Sequence, residues 1–310
     1  MRAISQNELG GPEVLHEIQV DKPRPGPTEV LVKVHAAGVN PVDVKTRSTG
    51  GRLGRPPFVL GWDVSGVVEE VGVGVTLHQP GDEVFGMPLF PHEAGGYSEY
   101  VTAPSRHFAR KPANIDHVHA AGLSLVGLTA WQSLVETANL QPGQRVLVHA
   151  AAGGVGHVAV QLAKALGAHV IGTARQAKHE FVLGLGADEV VDYTEVDFAE
   201  AVGDLDVVLD TVGGDYGIRS LPTLRPGGSL VSILPDTADA LRDAAAGLDV
   251  TADVVLCEPD QHGLRAVADL VERGLLRVEI DTVLPLALAA KAHELSETGR
   301  AKGKIVLSVA

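Results

Sequence analysis

The sequence predicts an α/β protein with two domains, one an antiparallel β-barrel and the other a doubly wound parallel sheet. The chain has 310 residues, a length at which single cores stop growing and chains divide into domains. In its first part, short runs with strand character are separated by Pro and Gly. From residue 145 onward strands alternate with helices, which is typical of a parallel sheet.

Four runs with strand character define the first domain, and they lie at 29–38, 62–72, 82–87 and 97–103. The turn sequences PGPTE and QPGDE come just before two of these runs. Repeated short strands with such turns favour an antiparallel, barrel-like arrangement.

Six short strands define the second domain: RVLVHA, HVIGTA, DEVVDY, DVVLDTV, GSLVSIL and DVVLCE. They are mostly apolar rather than alternating, which suits parallel strands that are buried on both faces. The run RAVADLVERGLL after them predicts a helix, and VEIDTVLPL and GKIVLSVA predict strands. We therefore expect a cofactor domain at 123–261 and a first domain made of 1–122 and 262–310.

The net charge, the lengths of the apolar runs and the cysteine count exclude several classes of protein. The formal net charge of −14 argues against non-specific binding to nucleic acid. No apolar run looks long enough to cross a bilayer, and the N-terminus lacks the apolar segment of a secretory signal. The single cysteine, Cys257, excludes an internal disulfide and a multi-cysteine zinc site. We expect a cytoplasmic protein whose partner is a small-molecule substrate.

A glycine-rich turn, HAAAGGVGHVAVQLAKALG (149–167), joins the first of these strands to a helix. Backbone N–H groups and the helix dipole at such a turn suit a pyrophosphate. Gly153 and Gly156 keep the spacing of a dinucleotide-binding turn, with Gly154 and Val155 between them, but Ala151 stands where its first glycine would be. A tight strand–helix connection without a ligand remains the alternative.

The end of the next strand indicates which cofactor would bind. An NAD site usually places Asp or Glu there, to accept hydrogen bonds from the ribose. This chain has Arg175, with Lys178 and His179 close behind. Two cations in place of an acid favour the 2′-phosphate of NADP(H), although a solvated helix start is the alternative.

A series of motifs runs in order along nearly the whole chain: AAGVNPVDVKTR (36–47), GWDVSGVVEEVG (61–72), GGYSEYV (95–101), GLTAWQSL (127–134), AAAGGVGHVAVQLAKALGA (150–168), LGADEVVDY (185–193), LDTVGG (209–214) and GKIVL (303–307). Together they resemble the zinc-independent medium-chain dehydrogenases/reductases, in the quinone oxidoreductase (zeta-crystallin-like) branch. That branch uses A-x-G-x-x-G at the turn, so the missing glycine is part of the resemblance.

The resemblance implies a GroES-like catalytic domain, a Rossmann-like cofactor domain, an active site in the cleft between them, and hydride transfer from NADPH. It implies that Asn40 lies beside the nicotinamide and Thr129 on the nicotinamide side of the cofactor. It assigns Lys178 and Tyr193 to the 2′-phosphate. The predicted cofactor-binding residues are Asn40, Thr129, Gly153, Gly154, Val155, Gly156, Arg175, Lys178, Tyr193, Val212 and Ile233.

The predicted chemistry uses no metal. Zinc-containing relatives have Gly-His-Glu where this chain has Gly61-Trp62-Asp63, and no cysteine precedes Cys257. Without a Lewis acid a simple alcohol is a poor hydride donor. A quinone or an α,β-unsaturated carbonyl spreads its own negative charge and needs less help.

The predicted catalytic residues are Asn40, Asp43 and Lys45. The amide of Asn40 and the ammonium of Lys45 would donate to the acceptor oxygen, and Asp43 would orient them. The alternative is a helix start with solvated charges. Some quinone reductases carry a tyrosine at the position of Lys45, which leaves substrate preference open.

Three functions are compatible with these residues: a quinone reductase, an enone or enoyl double-bond reductase, and a non-enzymatic NADPH-binding sensor or structural protein. We also expect a homodimer, because the sixth strand (253–258) would be an apolar sheet edge in a monomer. His149 is expected to be a structural residue at a strand end.

Overall fold

The computed structural model describes residues 1–309. The chain forms two compact units. The first comprises Met1–Leu128, Glu258–Glu272 and the chain from Val278 onward, and the second comprises Thr129–Cys257 and Arg273–Arg277. The predicted domain bounds, 1–122 with 262–310 and 123–261, remain a prediction.

The first unit begins with antiparallel strands. They are β1 (Arg2–Gln6), β2 (His16–Gln19), β3 (Glu29–Val39), β4 (Phe58–Val59), β5 (Asp63–Val71), β6 (Glu83–Gly86), β7 (Tyr100–Pro104) and β8 (Phe108–Arg110). The long strand β3 organises the main sheet, because it pairs with both β5 and β7. Its buried valines lie in the core of this unit.

Two helices belong to this stretch of the chain. Helix α1 (Pro41–Thr49) begins directly after β3, with Asn40 as its N-cap and Pro41 in its first turn, and it ends at Gly50, which has φ of +83°. Helix α2 (His117–Trp131) continues as a π-helix over Gln132–Thr137. By length and composition this helix is apolar enough to cross a membrane, which corrects the expectation above. However, 72% of its most apolar window is buried inside the protein, as in a core helix.

The second unit is a six-stranded parallel sheet. Its strands are β9 (Arg145–Val148), β10 (His169–Thr173), β11 (Glu189–Val191), β12 (Leu205–Asp210), β13 (Leu224–Ser232) and β14 (Val250–Val254). They are ordered β11-β10-β9-β12-β13-β14, and all pairs are parallel. The strand order reverses between β10 and β12, on either side of β9. Ligands bind at such a reversal in open α/β sheets.

The connecting helices are α3 (Gly154–Ala165), α4 (His179–Gly184), α5 (Phe198–Ala201), α6 (Tyr216–Ser220) and α7 (Ala238–Ala245). Helix α3 buries the side chains of Val158, Ala159 and Leu162 completely. Burial is continuous from Gly156 to Ala163, so this part of α3 is covered on all sides rather than along a single apolar face.

The chain then returns to the first unit through α8 (Gln261–Glu272), β15 (Ile280–Pro285), α9 (Ala289–Glu297) and β16 (Lys304–Ser308). Strand β16 pairs antiparallel with β3, and Ile305 lies opposite Val39. The first residue of the last strand is therefore placed near the loop that begins α1.

One predicted strand is misplaced. The sixth strand was predicted at 253–258, but β14 covers Val250–Val254. Its residues alternate between half-buried and exposed, as expected of an edge strand. The apolar residues Val255, Leu256 and Cys257 lie after the strand, half-buried at the first two positions and buried at Cys257, so continuous apolarity did not identify the strand.

Candidate active site and cofactor site

The glycine-rich turn has the geometry of a phosphate-binding site. Strand β9 ends at Val148, and α3 begins at Gly154 with Gly153 as its N-cap. Gly153, Gly154 and Val155 are partly exposed, whereas Gly156 is buried. The twelve-residue helix therefore begins at the surface, with N–H groups that have no partner within its first turn. These residues fit a pyrophosphate.

The two glycines of the turn are under different constraints. A Cβ on Gly156 would lie 2.3 Å from the carbonyl oxygen of Ala150, so no side chain fits there. A Cβ on Gly153 would lie 3.2 Å from the same oxygen, which is tight but possible. Gly156 is required by close packing, whereas Gly153 leaves room for a ligand.

The backbone of Ala151 does not have a positive φ, so a methyl group is tolerated at that position. The left-handed residue of the turn is Ala150, with φ of +45°. The turn is tied to β10, since the N–H of Ala150 donates to Thr173 Oγ1 (3.0 Å) and that of Ala151 to the Thr173 carbonyl (3.0 Å). Sequence spacing gave no indication of Thr173.

Two of the residues predicted for the 2′-phosphate are in contact. Arg175 follows β10 and Tyr193 follows β11, and Arg175 Nε donates to the Tyr193 hydroxyl at 3.1 Å. Lys178 lies in the same turn as Arg175, since its N–H donates to the Arg175 carbonyl at 2.8 Å. His179 Nε2 contacts the carbonyl oxygen of Ala174 at 3.0 Å, which connects the start of α4 to the residue after β10. Arg175 and Lys178 thus place two cations beyond the carboxyl end of β10.

The other predicted cofactor residues are less informative. Val212 and Ile233 follow β12 and β13 and are 42% exposed and half-buried, respectively. Thr129 is buried in α2. The residue that sequence analysis missed is Asp210, whose carboxylate accepts from the N–H of Val212 (2.9 Å) and from Ser232 Oγ (2.9 Å). It fixes the loops after both strands.

His149 is a buried structural residue, as expected. Ser220 Oγ donates to the carbonyl of Tyr216, so it accepts from His149 Nε2 at 2.9 Å. His149 Nδ1 then accepts from Thr173 Oγ1 at 3.3 Å. Burial lowers the pKa of His149 to about 4, and the ring is neutral.

In the first unit, Asn40 lies at the centre of a buried polar cluster. It is 1% exposed. Its Nδ2 donates to Asp63 Oδ2 at 2.9 Å, and its Oδ1 accepts a short hydrogen bond from Lys304 Nζ. Lys304 Nζ also donates to Asp63 Oδ2 at 3.2 Å. We call Asn40, Asp63 and Lys304 the amide cluster.

The small residues before Asn40 make room for this cluster. A Cβ on Gly38 would lie 2.7 Å from Asp63 Oδ2 and 2.8 Å from the carbonyl of Ala121. The second oxygen of Asp63 accepts from the N–H of Leu125 at 2.5 Å. Asp63 is therefore fully engaged by the protein.

Asp43 is buried, so the alternative of a solvated charge is wrong for this residue. Its carboxylate accepts from the N–H of Asn40 (2.8 Å) and of Gly61 (3.2 Å). Burial, with a smaller contribution from the nearby Asp63, raises the pKa of Asp43 to about 7, against the opposing effect of the Asn40 N–H. These contacts suit a residue that orients Asn40. Lys45 lies on the exposed face of α1, outside the amide cluster, and its role as a donor remains a prediction.

A hydrogen-bonded chain leads from Asp43 to the surface. Tyr97 interacts with Asp43, and burial raises the pKa of Tyr97 well above its usual value. The Tyr97 hydroxyl contacts His293 Nε2 at 3.2 Å, and His293 Nδ1 contacts Arg47 Nη1 at 3.4 Å. Arg47 Nη2 pairs with Glu297 at 2.5 Å. Burial first, and Arg47 second, lower the pKa of His293 to about 3, so its ring is neutral.

The donor set does not suit a metal. Among residues 1–309, no group of three or more His, Cys, Asp or Glu side chains is placed to share a metal ion. Asp63, at the position of the acid in Gly-His-Glu, is held by an ammonium and an amide instead.

The chain matches two family models, one described as the alcohol dehydrogenase GroES-like domain (residues 26–113) and one as zinc-binding dehydrogenase (residues 185–307). The quinone oxidoreductase of Coxiella burnetii is 39% identical with a TM-score of 0.95, over 100% of this chain and 99% of that one. The Escherichia coli quinone oxidoreductase complexed with NADPH is 30% identical with a TM-score of 0.85, over 100% of both chains. The 2-haloacrylate reductase of a Burkholderia species is 35% identical over 97% of each protein.

The fold, the phosphate-binding turn and these relatives identify a medium-chain dehydrogenase/reductase, which is an oxidoreductase. The chain belongs to the zinc-independent quinone oxidoreductase branch of that family. The predictions of the family, of the fold class with its GroES-like and Rossmann-like parts, and of an enzyme are confirmed, and the non-enzymatic alternative is dropped.

Proposed function

We propose that this enzyme reduces a quinone or a similar conjugated carbonyl with hydride from NADPH. The observation that carries the proposal is the amide cluster. The carboxylate of Asp63 accepts hydrogen bonds from Lys304 and Asn40, so it does not serve as a metal ligand. The cluster offers the amide of Asn40 as a hydrogen-bond donor instead. Such a site suits an acceptor that delocalises its own negative charge, because one oriented donor is then enough to stabilise the charge on the acceptor oxygen.

NADPH is the cofactor, as predicted, and when bound it supplies the hydride. The N-terminus of α3, at Gly154 and Val155, binds its pyrophosphate. Arg175 and Lys178 bind the 2′-phosphate, and Tyr193 holds the Arg175 side chain in place. The relative from Escherichia coli, which was solved with NADPH, supports NADPH as the cofactor.

Asn40 supplies the hydrogen bond to the acceptor oxygen. One Nδ2 hydrogen serves Asp63, and an amide nitrogen carries two. The contribution of the second hydrogen bond grows as charge develops on the acceptor oxygen. Asp43 keeps the loop of Asn40 in place through the Asn40 N–H.

Reduction of a conjugated carbon–carbon double bond is the second candidate. It is favoured by the 35% identity to a 2-haloacrylate reductase, whose substrate is named for a conjugated double bond. The same hydride step and the same donor serve both acceptors, so the two candidates differ in substrate alone.

The test measures NADPH consumption with 1,4-benzoquinone, 2-cyclohexenone and 2-chloroacrylate. We expect Asn40→Ala to lower kcat by about 10- to 100-fold for the enone and less for the quinone, which is below the usual loss at oxyanion sites. The Kd for NADPH should change little. Asn7→Ala, at an exposed asparagine of the same unit, is the matched control. Equal turnover of the Asn40→Ala and wild-type enzymes with every acceptor would refute the role of Asn40.

For assembly and location we propose a cytoplasmic homodimer that pairs through β14. This strand is at one edge of the parallel sheet, next to β13. An uncovered sheet edge is a liability that pairing removes. A mass of one chain by light scattering at micromolar concentration would refute the dimer.

A further inference from the structure

Lys304 carries a buried positive charge that the sequence analysis did not assign. It is 2% exposed and begins β16. Its three N–H groups have three acceptors: Asn40 Oδ1, Asp63 Oδ2 and the carbonyl of Val39. Burial of an ammonium is costly unless its partners are this complete. Because an apolar side chain would fill the same space without this desolvation cost, we looked for a function of the charge of Lys304.

The two ionic groups fix which way the Asn40 amide points. An ammonium only donates, so the amide atom that faces Lys304 is the oxygen. A carboxylate only accepts, so the amide atom that faces Asp63 is the nitrogen. A flipped amide would set NH₂ against the ammonium and oxygen against the carboxylate. Lys304 and Asp63 therefore select one orientation.

We propose that Lys304 is a positioning residue for the reduction, which holds Asn40 as a donor and polarises its amide. This rests on the proposed function of Asn40. A hydrogen bond from an ammonium to Oδ1 draws electron density from the amide and strengthens donation by Nδ2 in a dry site. Lys304 acts on the acceptor through Asn40 and does not touch it.

A purely structural role is the competing explanation, because Lys304 also connects β16 to β3 and β5. A double-mutant cycle separates the two. If Lys304 acts through Asn40, its removal costs nothing further once Asn40 is gone. If it acts through stability alone, its effect on kcat is the same with either residue at position 40.

The experiment measures kcat, KM and the Kd for NADPH with 1,4-benzoquinone and 2-cyclohexenone. It compares Lys304→Met, Asn40→Ala and the double variant, with Lys302→Met as the control at a half-exposed lysine. We expect Lys304→Met to lower kcat for the enone about 10-fold or more and for the quinone less, and to leave the Kd for NADPH within about 2-fold. The double variant should match Asn40→Ala.

The outcomes are distinguishable. If Asn40→Ala has no effect, the proposed function of Asn40 fails. If Asn40→Ala lowers kcat but the losses of the single variants multiply in the double variant, the inference on Lys304 is overturned and the function of Asn40 stands. Lys304→Gln, which retains a donor without the charge, and Lys304→Arg, which retains the charge, extend the test if Lys304→Met does not fold. We expect Lys304→Arg to restore the ratio of enone to quinone turnover. Failure of all three variants to fold would assign Lys304 to stability and overturn the proposal.

Discussion

Ala151 and Gly172 share the space for a single methyl group. A Cβ on Gly172 would lie 2.7 Å from the Cβ of Ala151, closer than side-chain carbons approach. Gly172 pairs with Val148 at the end of β9, and the turn that follows β9 folds over β10, since the N–H of Ala151 donates to the Thr173 carbonyl. The glycine that is missing from the nucleotide-binding turn is therefore matched by a glycine on the neighbouring strand.

We predict that Gly172→Ala destabilises the protein by about 1–3 kcal/mol, as overpacking of a core does. Ala151→Gly in the same chain should restore part of the loss. Recovery should be incomplete, because a Cβ at 172 also lies 2.9 Å from Val182. Urea unfolding measures the effect, and Gly184→Ala, where nothing lies within 4 Å, is the control. Equal stability of Gly172→Ala and wild type would contradict the prediction.

Lys178→Ala should raise the Kd for NADPH by roughly 10- to 100-fold, since a charge-assisted hydrogen bond contributes about 1.5–3 kcal/mol. NADH lacks the 2′-phosphate, and its Kd should hardly change. Fluorescence titration measures both constants. Arg242→Ala, at an exposed arginine paired with Asp239, is the control. Equal losses for the two cofactors would show that Lys178 does not bind the phosphate.

Acid should destabilise the protein through His149. Burial lowers the pKa of His149 from 6.5 to about 4, so between these values the unfolded chain binds more protons than the folded chain. The stability that the neutral ring contributes is complete above pH 6.5 and is lost as the pH falls toward 4. At ~1.36 kcal/mol per pKa unit the loss is about 3 kcal/mol.

The measurement is the free energy of unfolding of wild type and His149→Gln from pH 4.5 to 7.5. The variant should have the shallower pH dependence. His169→Gln, at a partly exposed histidine beside Glu189, is the control. Identical slopes for wild type and His149→Gln would contradict the assignment.

Chelation should leave turnover unchanged. Asp63 is occupied by Lys304 and Asn40, so no metal is needed to neutralise it. We expect elemental analysis to find no stoichiometric zinc in the purified enzyme, and incubation with EDTA to preserve the rate of NADPH consumption. One tightly bound zinc per chain would refute this.

The strands buried on both faces, β9, β10 and β12, were predictable because their composition is continuous and apolar. The short strands β1, β2, β4 and β8 were missed, since two to five residues carry too little pattern. The edge strand β14 was misplaced for the related reason that its residues alternate between half-buried and exposed and form no continuous apolar run.

The glycine-rich turn and the amide cluster also differ in how far the sequence predicted them. The nucleotide-binding turn is one continuous segment, so its residues and spacing are visible in the sequence. The amide cluster joins residues 40, 63 and 304, and no local pattern relates them. Gly172 and Ala151 become neighbours only when the register of two parallel strands is known.

The amide cluster also has a consequence for synthesis on the ribosome. Asn40 and Asp63 are translated before Lys304, which lies 264 residues beyond Asn40 in the chain. When segment 1–128 has been made, it contains Asp43 and Asp63, whose carboxylates are buried in the native fold, but Lys304 does not yet exist. The nascent segment thus lacks the charge balance of its native core, and the amide cluster becomes complete only after Lys304 has been translated and has left the ribosome.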